Sequence, residues 1–139
     1  MHITRIVILL IFILTITGCS GIEDSPMVEN TPHIDTGYQK ITPEQAKDIL
    51  EINPDIILLD VRTEEEFREI RIPGAILLPD TMITEHASEK LPDKNAVILV
   101  YCRAGRRSEN ASRELISMGY TNVYDIGGII DWTFETESD

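Results

Sequence analysis

From residue 42 onward the chain switches repeatedly between a helical and an extended hydrophobic period. Thr42-Pro43-Glu44-Gln45 joins an N-cap threonine, a proline at the first helical position and a glutamine three residues past the cap, so a helix is predicted to run to about Glu51. Ile56 to Leu59 is a short apolar run ending at Asp60, of the kind buried on both faces of a parallel sheet. Thr63 and Glu66 form a second capping box that opens a short helix, and Pro73-Gly74 breaks the chain before a strand from Ala75 to Leu78. Ile83 to Leu91 suits a polar, amphipathic helix containing His86, and Pro92-Asp93-Lys94-Asn95 is a turn. Ala96 to Tyr101 is the most apolar strand, which predicts a central place in the sheet, and it runs straight into Cys102. Ser108 is the expected cap of a helix reaching Met118, with Gly119 at its left-handed end. Val123 to Ile126 makes the last strand, closed by Gly127-Gly128 and a short helical turn holding Trp132.

This alternation predicts an α/β fold, a parallel sheet covered by helices on both faces. In such folds ligands bind beyond the carboxyl ends of the strands, where Cys102 stands. The flanks differ in character. Arg5, the apolar run Ile6 to Leu14 and Gly18 before Cys19 read as an export signal over residues 1–18. Ile16-Thr17-Gly18-Cys19 resembles the lipobox of bacterial lipoproteins, which implies a mature chain beginning at a diacylglycerol-modified Cys19. An ordinary signal peptide or an uncleaved anchor is the alternative. Residues 19–37 are polar, interrupted by Pro26 and Pro32 and without either period, and read as a flexible tether in which His33 is solvated. The organisation expected is thus signal, lipid-anchored tether, one domain over residues 38–133 and an acidic tail at 134–139, held outside the cytoplasm on a bacterial membrane.

Charge removes one class of partner. The 139 residues hold 12 Lys and Arg against 24 Asp and Glu, a net charge of -12, whereas nucleic-acid binding needs a broad basic face. Yet Arg103, Arg106 and Arg107 fall together directly after Cys102, so a local anion site fits within an acidic protein. Of the two cysteines, lipidation of Cys19 would leave Cys102 without a disulfide partner in an oxidising compartment. A thiol at a strand end, followed by a short loop and a helix start, meets inward-pointing amides and the positive end of the helix dipole, both of which favour the thiolate. Gly105 lets the loop take positive φ and turn its amides toward the sulfur. His2, His33 and His86 fall in the signal, the tether and a surface helix, so a Cys-His hydrolase is disfavoured. No cofactor or metal is called for.

Four motifs in order give the chain a resemblance to the rhodanese family over about Tyr38 to Trp132. They are Leu59-Asp60-Val61-Arg62-Thr63 with Glu66-Phe67, Ile72-Pro73-Gly74-Ala75, the loop Tyr101-Cys102-Arg103-Ala104-Gly105-Arg106-Arg107-Ser108, and Gly127-Gly128 followed by Trp132. The resemblance implies a rhodanese-like fold of about five parallel strands. It also implies a sulfurtransferase in which Cys102 attacks thiosulfate or another sulfane donor and carries the sulfur as a persulfide. The acceptor would be cyanide or a thiol, which a protein could supply. Arg103, Ala104, Gly105, Arg106, Arg107 and Ser108 would form the substrate-binding loop, Asp60 and Arg62 would brace it, and Gly127 and Gly128 would allow close backbone approach. One departure stands out: Ile70-Arg71 occupies the place of the family's Gly-His.

Two rivals remain. Phosphatases and arsenate reductases of related architecture place an arginine after Cys and five residues, where this chain has Ser108, with Arg107 one residue early. A rhodanese-like module that binds a partner without catalysis is the other, although such modules commonly lack the nucleophile retained here.

Overall fold

The computed structural model describes residues 37–139, so the signal, Cys19, His33 and the tether up to residue 36 lie outside the described residues. Five strands, all parallel, form one sheet in the order β1-β5-β4-β2-β3: β1 Gln39–Lys40, β2 Ile57–Asp60, β3 Ile76–Leu77, β4 Val97–Cys102 and β5 Asn122–Gly128. The helices are α1 Pro43–Ile52, α2 Glu64–Glu69, α3 Ile83–Lys90 and α4 Arg106–Ser117, with 3-10 turns at Asp80–Met82 and Ile129–Asp131. Thr42 and Thr63 each close a complete capping box, with Gln45 and Glu66 respectively. These pairs satisfy orphan amides and fix where α1 and α2 begin.

The apolar strand that the sequence placed at the centre is β4, hydrogen-bonded to β2 on one side and β5 on the other. Its side chains alternate between layers as the pleat requires. Ile98, Val100 and Cys102 pack with Ala87, Leu91, Ala111 and Leu115 of the α3 and α4 layer, whereas Leu99 and Tyr101 pack with Ala46 of α1 and with Trp132. Cys102 therefore points toward α4.

Several boundaries differ from expectation, each for a local reason. β1 has two exposed residues and no apolar period to read, and it is tied on by Ile41 N–H donating to Asp125 O at 3.0 Å. β5 does not stop at Ile126 but continues through Gly127 and Gly128. Its register slips by one residue between Val100 and Tyr101, a bulge that re-aims the glycines toward the end of β4. The acidic stretch 134–139 is folded against the domain. Phe134 meets Trp132 edge-on at 5.1 Å between ring centres, and the backbones of Arg71 and Glu137 exchange two hydrogen bonds of 2.8 Å each.

Candidate active site

Cys102 ends β4 with only 1% of its surface exposed. The chain then turns through Arg103 and Ala104 to Gly105, whose φ of +99° is open to glycine at little cost, and α4 begins at once. That turn directs the Gly105 N–H at the sulfur, at 3.1 Å. The expected loop geometry is therefore present, but the helix starts earlier than the sequence suggested. Gly105 is the N-cap and Glu109 N–H donates to its carbonyl at 3.1 Å, so Ser108 is not the cap but lies inside the first turn of α4. Buried there, the Ser108 hydroxyl closes the site from below. It accepts from the Cys102 thiol at 3.7 Å and stands 2.9 Å from Gly105 O and 3.2 Å from Gly127 O as a donor.

The three arginines take different roles. Arg107 donates to both carboxylate oxygens of Glu66, at 2.9 and 2.7 Å. The pairing holds the Glu66 carboxyl down at about 2, chiefly through the Arg107 hydrogen bonds, and raises the Arg107 guanidinium above its ordinary range. Arg107 directly precedes Ser108, whose hydroxyl meets the Cys102 sulfur, so it stands in the first turn of α4 at the edge of the loop. An arginine committed to a bidentate carboxylate is a fixed charge at the edge of the loop and not a free anion clamp. Arg103 and Arg106 are exposed at the rim, and no ion pair joins them to other described residues. A cleft lined by Arg62, Glu66, Glu69, Ile70, Arg103, Ile129 and Ile130 borders one side of the loop. Another, lined by Lys40, Thr42, Ala104, Gly105, Gly127 and Asp131 among others, borders the opposite side.

Asp60 and Arg62 are buried together, with guanidinium to carboxylate contacts of 2.6 to 3.0 Å, and Arg62 also donates to Ile70 O at 2.6 Å. Burial opposes the charge on Arg62, but the Asp60 pairing outweighs it and raises the guanidinium's pKa. Their bracing falls on the end of β2 and on the Ile70 turn, one step from the loop. Tyr101 links the two regions: its ring lies under Arg62 at 5.5 Å, and its hydroxyl accepts from Ile72 N–H at 3.2 Å. Burial and the nearby Asp60 carboxylate raise that phenol above its ordinary range.

The two glycines of β5 also separate in role. A Cβ on Gly128 would lie 2.4 Å from Arg103 O and 2.6 Å from Ala104 Cα, so this position is where strand and loop backbones touch. Gly127 has nothing within 4 Å of such a Cβ, and it is needed for its φ of +85°. Its N–H donates to Asp125 Oδ1 at 2.9 Å, and Tyr38 Oη–H donates to the other oxygen at 2.7 Å. Asp125 was absent from the sequence-based site. The signal was there, a carboxylate at the third residue of the predicted strand Val123 to Ile126. Glu66 was read as a capping residue and a motif position but not as a partner of the loop, because nothing in the linear order brings it to Arg107, 41 residues away.

The assembled site offers one buried thiol, a backbone amide aimed at it, a hydroxyl able to give or take a proton, and a fixed guanidinium nearby. Residues 42–135 match the rhodanese-like domain family. The thiosulfate sulfurtransferase PspE of Escherichia coli is 41% identical over 73 residues, covering 52% of this chain and 70% of that protein. A sulfurtransferase of Allochromatium vinosum is 38% identical over 94 residues, covering 67% and 86%. In two longer curated relatives the match spans 24% and 52% of their length. Among solved structures, a rhodanese with anions from E. coli superposes with a TM-score of 0.56 at 36% identity, covering 60% of this chain and 98% of that one.

Proposed function

The chain belongs to the rhodanese-like domain family, and from that premise we propose that Cys102 takes a sulfur atom from thiosulfate or a related sulfane donor and hands it to cyanide or a thiol. The Cys102 thiolate attacks the outer sulfur of thiosulfate, a new S–S bond forms, and the old S–S bond breaks with its electron pair leaving on sulfite. The acceptor then attacks the outer sulfur of the persulfide, giving thiocyanate from cyanide and restoring the thiolate. This two-step exchange is nucleophilic catalysis without a cofactor.

The observation that carries the reading is the Gly105 N–H at 3.1 Å from the sulfur, a backbone donor placed to stabilise negative charge there. The Ser108 hydroxyl accepts from the thiol and supplies a second donor once the proton has left. Near-complete burial of Cys102 favours a small donor over a bulky one. Ser108 stands where a phosphatase would hold its arginine and Arg107 is bound to Glu66, which weighs against oxyanion gripping of that kind. The lipobox-like order around Cys19 supports a further part of the proposal, that this chemistry is tethered to a membrane outside the cytoplasm. Purified protein given thiosulfate and cyanide should produce thiocyanate with double-displacement kinetics. A rate equal to that of Cys102→Ser would overturn the reading.

A further inference from the structure

The helix that carries Glu66 is poorly supported by the core. α2 has six residues, none of them buried, and a helix of that length is unstable alone because nucleation costs more than so few hydrogen bonds return. Its N-terminal end is closed by its own capping box. Its C-terminal carbonyls depend on other parts of the chain. Phe67 O accepts from Arg71 Nη1 at 3.4 Å, and Arg68 O accepts from the backbone N–H of Asp139 at 3.1 Å. Arg71 is in turn clasped by the end of the described chain. Besides the backbone bridge to Glu137, its guanidinium contacts Glu137 Oε1 at 2.9 Å and Asp139 Oδ1 at 2.7 Å, and lies over the Phe67 ring at 4.9 Å.

We propose that Arg71, together with Glu137 and Asp139, positions the active site through α2. The clasp fixes the C-terminal end of the helix, which holds Glu66 in place and with it the guanidinium of Arg107, the residue before the serine that meets the Cys102 sulfur. This gives a purpose to the one departure in the second motif, since Arg71 is the residue on which residues 137–139 close. The inference rests on Cys102 being the sulfur-carrying residue. None of the three residues belongs to either core layer, so loosening the clasp leaves the core packed while freeing α2. Arg107 then loses its fixed partner, and the charge offered to an incoming anion becomes less ordered.

The test uses the whole chain carrying Arg71→Ala, and separately Glu137→Ala with Asp139→Ala as a gentler form that preserves folding. Each should retain native circular dichroism while amide exchange in α2 accelerates. KM for thiosulfate should rise about three- to ten-fold, the scale of one or two lost polar contacts, with kcat changed less than about two-fold. Alkylation of Cys102 by anionic iodoacetate should slow relative to neutral iodoacetamide by a similar factor. In an Arg107→Ala background, adding Arg71→Ala should change either ratio by less than about two-fold, because coupled residues are not additive. Unchanged KM and alkylation ratio in the folded variants, or an equal loss with and without Arg107, would overturn the proposal. Because alkylation needs no sulfur donor, it reads the clasp even if the wild-type protein failed to turn over thiosulfate, an outcome that would count against the sulfurtransferase assignment alone.

Discussion

Gly128→Ala is the substitution whose effect the structure specifies most closely. The added methyl would sit 2.4 Å from Arg103 O, 2.6 Å from Ala104 Cα and 2.9 Å from Ala104 N, all backbone atoms that no rotamer change can move aside. Reaching even the tightest tolerated separation of 3.0 Å from the carbonyl needs a shift of 3.0 − 2.4 = 0.6 Å, and ordinary contact at 3.4 Å needs 3.4 − 2.4 = 1.0 Å. The loop has little room to yield, because Arg103 O also accepts from Ile130 N–H at 3.2 Å and Gly105 N–H is already aimed at the sulfur. Overpacking of this kind costs about 1–3 kcal/mol. A displacement near 1 Å at a reacting group costs on the order of 100-fold in rate. The expectation is thus a folded protein with a modestly lower melting temperature and sulfur loading slowed roughly 100-fold. Gly74→Ala is the contrasting control: its φ of +81° brings backbone strain that Gly128, at φ -107°, does not, while nothing lies within 4 Å of the new methyl and the position is outside the loop. Thermal melts and thiosulfate loading kinetics on both variants settle the matter. Gly128→Ala loading at the wild-type rate, or Gly74→Ala losing as much activity, would refute the contact argument.

Three further outcomes follow from the same geometry. Glu66 is held at about 2 against an ordinary 4.5, so its pairing stabilises the fold fully above the ordinary value. That contribution is lost as pH falls toward 2, and acid unfolding of Glu66→Gln should lack this part of the slope seen in wild type. Asp60→Ala strands the buried Arg62 charge and should cost about 3–5 kcal/mol by denaturant titration; a loss below 1 kcal/mol would show that the pair does not brace β2. For the proposed lipid anchor, fatty-acid labelling in a bacterial host should disappear in Cys19→Ala, and persisting label would remove that part of the proposal.

The fold was legible wherever a local rule acted alone. Both capping boxes, the apolar run of β4 and the strand-to-loop position of Cys102 could be read because each is written in consecutive residues. The places that escaped were those decided across the sheet. β1 is too short and too polar to show a period, and the bulge that carries β5 through Gly127-Gly128 exists to bring those glycines against the Cys102 loop. Ser108 resembled a cap by type, but Gly105 at positive φ starts the helix first and leaves the serine free to reach the sulfur. The grouping of the three arginines was visible, whereas their division was not. Glu66 takes Arg107 out of the rim, and only the folded chain brings α2 to α4. Arg71 likewise read only as a departure from the family's Gly-His, because the carboxylates it pairs with lie 66 and 68 residues downstream.

The central claim is that a single sulfur atom resides on Cys102 between two half-reactions, and intact-protein mass spectrometry tests it directly. Reduced protein treated with thiosulfate and freed of excess reagent should gain the mass of one sulfur, about 32 Da, located by peptide mapping to Cys102. Cyanide should remove that mass as thiocyanate, and Cys102→Ser should never acquire it. A folded, reduced wild-type protein that gains no sulfur from thiosulfate or from a more reactive persulfide donor would contradict the account.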